Sequence, residues 1–566
     1  MEHGRASRKR KLTYIRKVVF LMNKRLNQSS SFDETVPVLV VGGSLIGLSF
    51  SLFLARQGIK PLVVERHPGT SIHPRVSSLT ARTMEIFRSA GIEEEIRHEE
   101  PPFPREFGIM FVESLAGQMF DNLMEDMSAY FTDASPVEGN GIAQDLLEPV
   151  LRAQAEQAGA DLRYNTELIE FETDEDGISA MICDRISGET RRVRTKYMVG
   201  ADGNKSGIRT QLGIDQHGEG TLFHLISVVF DADIHELFRR QNAHMCFFAN
   251  DTVSGSLVLY PGTYRRPHIY RLDVIYDPEE ETIDDYPEER CVALVREAIG
   301  IPDIPVAIKK VLTWEMAGRV ADRFQEGRIF LVGDSARVQP PSGGLGGNTG
   351  IAEAQNLAWK LAAVLRGEAG SDLLATYDVE RRPVADYTVE QVVMLSQQRE
   401  HEGSDGITVS TLHVNMGYHY QDGAIVPETD GQNLPIVQSP ELWKGQPGTR
   451  AAHIVLERGG HTISSLDLFG SRFVLLVGPD GQNGLEAAQH VKDALRLPMD
   501  IYQIGGRKGD FSNPGNDFLD AYGITSTGAV IVRPDGYIGW RKPGTGENKE
   551  EMEKVLTNAL STILFR

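Results

Sequence analysis

The sequence is poor in the residues that build disulfide frameworks and metal sites. Its 566 residues include only three cysteines, Cys183, Cys246 and Cys291, with no CxxC and no close pair. Neither a disulfide framework nor a structural zinc site is therefore supported. We expect a reducing, cytoplasmic setting and no metal chemistry.

Long apolar runs and an excess of basic residues are missing as well. No stretch approaches the ~20 apolar residues that a membrane-spanning helix needs, so no membrane span is predicted. The chain has 58 Lys and Arg against 79 Asp and Glu, a formal net charge of −21. Nucleic acid is not an expected partner, because phosphate binding requires a basic face.

The positive charge is concentrated at the N-terminus. Residues 1–25 hold nine Lys or Arg against a single acid, Glu2. We predict a basic, disordered arm over residues 1–35, with Met22 as an alternative start of translation. A contact between this arm and an anionic partner is the other interpretation. The arm does not resemble a secretory signal, because its apolar stretch is short and no small-residue cleavage site follows.

The pattern that remains is that of a large α/β protein. A β-branched run over residues 36–41, a glycine turn, a helical pattern and an apolar run over 61–64 predict a βαβ unit. Alternating apolar residues around 226–232 and 270–276 predict a β-rich region in the middle of the chain. An α/β rhythm then returns at about residues 328–401 and again after residue 451.

The glycine turn at residues 42–47 (GGSLIG) is the first motif with chemical content. Such a turn lets the backbone approach a pyrophosphate, and the following helix offers N–H groups and a positive dipole end. Glu65, at the end of the second strand, is placed to accept hydrogen bonds from adenosine ribose. Ser44 replaces the middle glycine of G-x-G-x-x-G, so the motif alone also fits a tight turn without a ligand.

Two later segments each end a buried strand with a small residue and an acid. Residues 197–203 (YMVGADG) place Asp202 there, and residues 328–336 (RIFLVGDSA) place Asp334 there. Ligands of α/β sheets bind at the carboxyl ends of the strands. Each segment alone fits an ordinary strand-to-turn junction, but their order along one chain predicts a single nucleotide site.

Together the three segments resemble the glycine-turn, DG and GD motifs of class A flavoprotein monooxygenases, the para-hydroxybenzoate hydroxylase-like family. The resemblance covers nearly the whole chain from residue 36. It implies an α/β fold with a Rossmann-like FAD-binding domain of the glutathione reductase type and an inserted, mainly β substrate domain. It also implies that Asp334 contacts the ribityl chain of FAD and that Asp202 supports binding of both FAD and NAD(P)H.

Residues 340–350 (PPSGGLGGNTG) form the most specific part of the resemblance. The prolines fix a turn, the glycines permit close backbone approach, and a helix is predicted to begin near Asn348. Its first N–H groups would face a ligand. In the family these groups lie by the pyrimidine edge of the flavin and stabilise negative charge on the reduced ring. A surface glycine loop is the alternative.

The chain departs from the family's pattern at two positions. Arg337 stands where a His often precedes the double proline, and Glu353 stands where an Asp is common in the following helix. Arg337 is expected to add a cation near the flavin. Its effect would fall either on the charge of the reduced flavin or on the orientation of the substrate.

The tail resembles the thioredoxin-like C-terminal domain of the phenol hydroxylase and aromatic polyketide hydroxylase branches. Without a CxxC it cannot exchange disulfides, so a structural or interface role is expected. The predicted domains are residues 1–35 for the arm; 36–106, 140–213 and 318–402 for the discontinuous FAD-binding domain; 107–139 and 214–317 for the substrate-binding domain; 403–450 for a linker; and 451–566 for the thioredoxin-like domain.

The resemblance implies a reaction as well as a fold. NAD(P)H, with NADPH favoured, would bind transiently and reduce the bound FAD, and O₂ would then form a flavin C4a-hydroperoxide. The substrate would be an aromatic small molecule, either a phenol or a polycyclic polyketide, and it would be hydroxylated. Alternatives are Baeyer–Villiger oxygen insertion on the same scaffold and a non-catalytic, flavin-bearing interaction protein. A homodimer is left open.

The resemblance assigns two sets of site residues and no metal ligand. The predicted catalytic residues are Arg75, Pro340, Pro341, Gly343 and Gly344. The predicted cofactor-binding residues are Gly42, Ser44, Leu45, Ile46, Gly47, Glu65, Arg66, Arg75, Gln144, Asp202, Gly203, Gly333, Asp334, Pro341, Gly344, Gly346, Gly347 and Asn348.

Overall fold

A computed structural model describes most of the chain, in eleven segments. They are residues 31–72, 78–99, 108–124, 126–240, 243–250, 254–259, 269–398, 410–428, 434–507, 509–544 and 548–566. Most of the predicted arm, at residues 1–30, and the predicted site residue Arg75 lie outside them. No helix in these segments is long and apolar enough to cross a membrane.

Twenty-two strands and thirteen α-helices lie within the described segments. The strands are β1 (Glu34–Val41), β2 (Leu62–Val64), β3 (Gly108–Val112), β4 (Met119–Met124), β5 (Asp161–Arg163), β6 (Thr166–Thr173), β7 (Ile178–Asp184), β8 (Thr190–Gly200), β9 (Gln216–Asp231), β10 (Ala243–Ala249), β11 (Ser254–Leu259), β12 (Ile269–Ile275), β13 (Ala307–Ala321), β14 (Gln325–Glu326), β15 (Ile329–Leu331), β16 (Arg337–Val338), β17 (Val455–Arg458), β18 (His461–Ser464), β19 (Phe473–Val477), β20 (Met499–Gln503), β21 (Ala529–Val532) and β22 (Ile538–Lys542). The helices are α1 (Leu45–Arg56), α2 (Ala81–Ser89), α3 (Glu93–Glu99), α4 (Gln144–Ala158), α5 (Gly207–Gln211), α6 (His235–Arg240), α7 (Glu288–Ile299), α8 (Leu345–Leu365), α9 (Thr376–Gln398), α10 (Thr411–Met416), α11 (Gln482–Leu495), α12 (Phe518–Ala521) and α13 (Lys549–Leu564).

The first sheet has the order β14-β15-β8-β1-β2-β5, with β6 and β7 added beside β8. Its central strands β15, β8, β1 and β2 are parallel to one another. Val38, Leu39 and Val40 of β1 are completely buried, as expected for a parallel strand that is covered on both faces. The strand begins at Glu34, two residues before its predicted start, because Glu34 and Thr35 already pair with β8.

The second sheet has the order β16-β13-β9-β12-β11-β10-β3-β4 and is antiparallel except where β10 meets β3. One of its faces packs on a hydrophobic core that includes α7. Ile226, Val228 and Phe230 of β9 point into that core at every second position. The mainly β region that the alternating pattern predicts is therefore confirmed.

The two sheets are joined where β13 ends. Arg319 and Val320 of β13 pair with Val338 and Arg337 of β16. β16 follows directly after the GD motif and leads into the proline–glycine segment. The edge strand β16 of the second sheet therefore follows the third nucleotide motif directly along the chain.

The tail forms a four-stranded sheet with the order β20-β19-β21-β22. β19 and β20 are parallel and the other pairs are antiparallel, and α11 and α13 pack against each other. This is the predicted thioredoxin-like α/β arrangement. The turn at residues 534–536 joins β21 to β22, with Gly536 in the left-handed region.

The region between the first two units and the tail is packed rather than extended. In its described parts, Tyr418, Tyr420 and Trp443 are buried, and the Tyr420 ring lies 4.6 Å from that of Tyr537 in the tail. We keep the predicted domain boundaries as a proposal, with the FAD-binding domain moved to begin at Glu34.

A buried ionic network joins the tail to α8 and α9. The guanidinium of Arg533 donates two hydrogen bonds of 2.8 Å to Glu380 and further ones to Asp535. Lys360 donates to Glu380 at 2.8 Å, and Asn356 donates to Glu380 and Asp535. Burial raises the pKa of Glu380, but Arg533 and Lys360 outweigh it and lower the pKa to about 2.

Glu380→Gln tests the contribution of this network to stability. It leaves Arg533 and Lys360 buried with less opposing charge, and we expect the free energy of unfolding to fall by about 3–5 kcal/mol. Chemical denaturation measures this fall. Glu326→Gln is the control, because Glu326 pairs with Arg323 on the surface and should cost less than about 1 kcal/mol. Equal losses in both variants would contradict a special role for the network.

His217 of β9 is held between two carboxylates. Its Nδ1 lies 2.7 Å from Asp322 and its Nε2 lies 2.9 Å from Asp386 of α9. The hydrogen bond to Asp322, together with that to Asp386, raises the pKa of His217 above its usual value. The charged imidazolium therefore links the second sheet to α9.

This link makes stability depend on pH in a defined direction. A histidine with a raised folded-state pKa stabilises the fold fully below its unfolded pKa of about 6.5, and this contribution is lost as pH rises through the folded pKa. The stabilities of the wild type and of His217→Asn should therefore differ most below pH ~6.5, and the difference should shrink as pH rises from ~6.5 through the raised folded-state pKa. A constant difference across this range would contradict the imidazolium link.

Candidate functional site

The three nucleotide motifs meet at one edge of the first sheet. β1, β8 and β15 are parallel neighbours, so their carboxyl ends lie side by side. The glycine turn follows β1, Asp202 follows β8, and Asp334 follows β15. A single site for the three segments, as predicted, requires this arrangement, and the parallel pairing of the three strands provides it.

Close backbone contacts hold the glycine turn in place. A Cβ atom at Gly42 would lie 2.2 Å from the Ala201 carbonyl oxygen, and one at Gly47 would lie 1.9 Å from the Gly42 carbonyl oxygen. A Cβ at Gly333 of the GD motif would lie 2.8 Å from the side chain of Ile46. The three motifs therefore touch one another, and glycine is required at each contact.

Ser44, the departure from the strict fingerprint, is explained by its contacts. Its φ of −97° suits any L-residue, so no glycine is needed there. Its hydroxyl donates a 2.5 Å hydrogen bond to Glu148 and accepts one of 3.1 Å from Gln144. The serine thus adds a side-chain anchor at the N-terminus of α1.

Glu148 is the buried centre of this anchor. Its carboxylate accepts from Ser44, from the Leu45 N–H at 2.9 Å and from the Ser71 N–H at 2.5 Å, while Gln144 also donates to it at 2.6 Å. The side chain is completely buried. Glu148 is absent from the predicted site residues, although its position four residues after Gln144 places both on one face of α4.

Glu65 lies at the carboxyl end of β2 as predicted and supports the same turn. It accepts from the Gly43 N–H at 2.8 Å and from the His67 N–H at 2.8 Å. Arg66 is exposed beside it, and its carbonyl accepts a hydrogen bond from Arg185. Their predicted contacts with FAD stay a proposal.

The DG motif places a buried carboxylate oxygen at the site. Asp202 Oδ2 accepts from the Ile208 N–H at 3.2 Å, whereas Oδ1 is buried and has no hydrogen-bond partner in the described protein. Buried polar atoms usually have partners, so such an oxygen is suited to a ligand donor. Gly203 follows in the left-handed region, with open space beside it.

Arg209 connects the second and third motifs. Its guanidinium donates to the Ser335 carbonyl at 2.9 Å and to the Asn204 carbonyl at 2.8 Å. Asp334 lies exposed on the 3₁₀ turn between Gly333 and Ser335. Arg209 follows the DG segment by six residues but is absent from the predicted site residues, because its partner is more than 120 residues away.

The proline–glycine segment enters α8 earlier than predicted. The helix begins at Leu345, three residues before Asn348. Gly343 and Gly344 both have positive φ, at 71° and 65°, so they complete the turn and let the helix start at once. Pro340 is buried, Pro341 is exposed, and Gly346 and Gly347 are half-buried in the first helical turn.

Asn348 acts as a brace between this segment and α2. Its amide donates to the Gly344 carbonyl at 2.7 Å, and its Oδ1 accepts from the Thr80 N–H at 3.0 Å and from the Thr83 hydroxyl at 2.6 Å. The side chain of Asn348 is thus engaged within the protein, and the predicted contact of this residue with the cofactor stays a proposal. Only its backbone stays a candidate for that contact.

Arg337 does not add an unbalanced cation. Its side chain is completely buried and donates a 2.7 Å hydrogen bond to Glu353, which is also completely buried. The two departures from the family's pattern are therefore partners of each other. Arg337 is a cation as expected, but its charge is balanced by that of Glu353.

These features fit a dinucleotide of the FAD type. The glycine turn leaves no room for side chains, the start of α1 faces the same edge, and Asp202 offers an unpartnered oxygen. No group of three or more metal-ligating side chains comes together among the described residues. The fold and the site therefore define a flavin-nucleotide enzyme with an attached β-sheet domain.

Comparisons with known proteins agree with this class. The FAD binding domain family matches residues 35–392, and the aromatic-ring hydroxylase C-terminal family matches residues 444–564. The chain is 40% identical to 4-methyl-5-nitrocatechol 5-monooxygenase of Burkholderia sp, covering 94% of this chain and 98% of that one. It is 39% identical to a putative polyketide hydroxylase of Streptomyces halstedii, covering 96% and 100%.

A solved structure gives the same result. The ternary complex of aklavinone-11 hydroxylase with FAD and aklavinone matches with a TM-score of 0.86 and 35% identity, covering 95% of this chain and 100% of that one. The chain belongs to the FAD-binding family of aromatic-ring hydroxylases. It is an FAD-dependent monooxygenase, and use of NAD(P)H is typical of its family.

Gly47→Ala tests the glycine turn. The added methyl group would clash with the Gly42 carbonyl, and we expect the strain to weaken FAD binding about tenfold or more. Titration of the apoprotein with FAD, followed by flavin fluorescence, measures this change. Gly207→Ala is the matched control, because nothing lies within 4 Å of the added atom. Unchanged FAD affinity in Gly47→Ala would contradict the assignment.

Proposed function

We propose that this enzyme hydroxylates a phenolic ring of a polycyclic aromatic substrate. One atom of O₂ enters the ring and the other leaves as water, while NAD(P)H, with NADPH favoured, supplies two electrons. The relatives named above support the reaction class. The observation that carries the choice of substrate is the width and chemistry of one face of the second sheet.

The face opposite the hydrophobic core is rich in half-buried aromatic and apolar side chains. Phe111 and Phe247 stack there with their ring centres 5.5 Å apart. The strands from β3 to β13 span five inter-strand spacings, about 24 Å in all. Other half-buried side chains on this face are Met245, Val258, Val229, Leu312, Trp314 and Met316. Such a surface suits a flat ligand larger than one ring.

A polar cluster interrupts this apolar face. The Trp314 indole donates to the Ser227 hydroxyl at 2.8 Å, and Ser227 in turn donates to the buried carboxylate of Asp273. Arg271 pairs with the same carboxylate at 2.8 Å. We assign to this cluster the orientation of oxygen substituents on the substrate, because polar groups that are fixed within an apolar pocket determine ligand orientation.

The protein's own part in the reaction is positioning. When bound, FAD supplies the redox chemistry that activates oxygen. The first N–H groups of α8 are placed to stabilise negative charge on the flavin ring, and Gly343 and Gly344 let the backbone approach it closely. Pro340 and Pro341 hold this turn. Arg75, also proposed as catalytic from the resemblance, lies outside the described residues.

The setting of the reaction is also part of the proposal. All three cysteines carry free thiols, which supports a reducing, cytoplasmic environment. A homodimer stays a prediction. The names of the relatives favour hydroxylation over Baeyer–Villiger insertion, and the non-catalytic alternative has no support from them.

A product assay tests this function. The FAD-loaded protein is given NADPH, isotopically labelled O₂ and either a tricyclic hydroxyanthraquinone or 4-methyl-5-nitrocatechol. We expect the tricyclic phenol to stimulate NADPH oxidation more strongly and to gain one labelled oxygen atom as a hydroxyl group. Hydroxylation of the catechol alone would contradict the polycyclic substrate, and a lactone product would identify Baeyer–Villiger insertion. No stimulation by any aromatic compound would contradict the enzyme assignment.

A further inference from the structure

We propose that Arg337 and Glu353 form a charge-neutral brace that sets how strongly the start of α8 stabilises reduced FAD. The inference rests on the proposed function, because it takes the start of α8 to face the flavin. Both residues act through the backbone of this segment and are positioning residues. The two residues at which this chain departs from the family's pattern are thus in direct contact.

Arg337 connects three parts of the segment that follows the GD motif. Its Nε donates to Glu353, one terminal nitrogen donates to Gln339 at 3.0 Å, and the other donates to the Gly346 carbonyl at 2.8 Å. Gly346 lies in the first turn of α8. A fixed carbonyl fixes the plane of its peptide unit, so Arg337 also fixes the N–H of Gly347, which belongs to the same unit.

Glu353 makes the matching contact on the other side. Its second oxygen accepts from the Gly333 N–H at 2.8 Å, and Gly333 is the glycine of the GD motif. Gly346, Gly350 and Glu353 share one face of α8, because they are spaced four and three residues apart. Gly350 leaves room for Ile46 of the glycine turn. The pair therefore ties the helix start to the GD motif, and Gly350 lets the same face of α8 pack against the glycine turn.

Charge gives the pair a second effect. Both side chains are completely buried, and charges in a protein interior are screened far less than those on the surface. With both residues present the net charge beneath the helix start is zero. Removing Glu353's charge leaves a cation, which should stabilise an anionic reduced flavin. Removing Arg337's charge leaves an anion, which should destabilise it.

The opposite signs permit a sharp experiment. The midpoint potential of bound FAD is measured, without substrate, in the wild type, Glu353→Gln, Arg337→Gln and the double variant. We expect Glu353→Gln to raise the ratio of reduced to oxidised flavin at a fixed potential about tenfold, and Arg337→Gln to lower it about tenfold. For a two-electron couple each change equals about 30 mV. The double variant should return towards the wild type.

Matched controls separate charge from loosening of the fold. Arg323→Gln and Glu326→Gln break an exposed pair beside β14 and should leave the potential unchanged. Arg337→Lys keeps the charge, so its potential should stay closer to that of the wild type than to that of Arg337→Gln, although lysine cannot reproduce the forked hydrogen bonds. If Arg337→Gln does not retain FAD, the midpoint potentials of Glu353→Gln and Arg337→Lys are compared instead. Glu353→Gln should then show the larger shift from the wild type.

Two results would overturn the proposal. Shifts of the same sign in Glu353→Gln and Arg337→Gln would show that the pair acts only by holding the fold together. Absence of a shift in Glu353→Gln would show that its charge does not reach the flavin. Neither result depends on substrate, so a wrong substrate assignment and a wrong role for the pair are distinguishable.

Discussion

The site depends on one constraint, the close contact between loops at the ends of neighbouring parallel strands. Gly42 packs on Ala201, and Gly333 packs on Ile46, at distances that exclude a Cβ atom. Parallel pairing places these loops at one edge, and glycine lets them close upon each other. A larger residue at either glycine would separate the motifs that together form the nucleotide site.

Buried carboxylates accept hydrogen bonds from two of these loops and from the tail. Glu148 accepts from the glycine turn, Glu353 accepts from the GD turn, and Glu380 accepts from the tail. Each is completely buried, and each is satisfied by N–H groups or cations. An unpaired buried carboxylate would be costly, so the geometry around each is strongly specified. These hydrogen bonds therefore fix loops whose glycines would otherwise allow the backbone several conformations.

Sequence patterns could predict the strands, the glycine turn and the acids at the strand ends, because these follow from local rules and spacing. They could not predict the pairing of Arg337 with Glu353, or of Ser44 with Glu148. Ser44 and Glu148 lie 104 residues apart, and no local rule selects one partner over another at that distance. The start of α8 was misplaced because the prediction did not anticipate left-handed backbone at two successive glycines, Gly343 and Gly344.

The tail has no CxxC, but its contacts give α8 a second point of attachment. Its turn at residues 534–536 presents Asp535 to Asn356 in the middle of α8. The preceding Arg533 donates to Glu380 of α9, which also accepts from Lys360 of α8. Arg337 and Glu353 hold the first two turns of the same helix. A helix that is fixed at both places cannot shift along its axis without breaking buried ionic contacts. The N–H groups at its start are therefore held in place, and under the proposed function this would let them stabilise charge on the flavin without reorganisation.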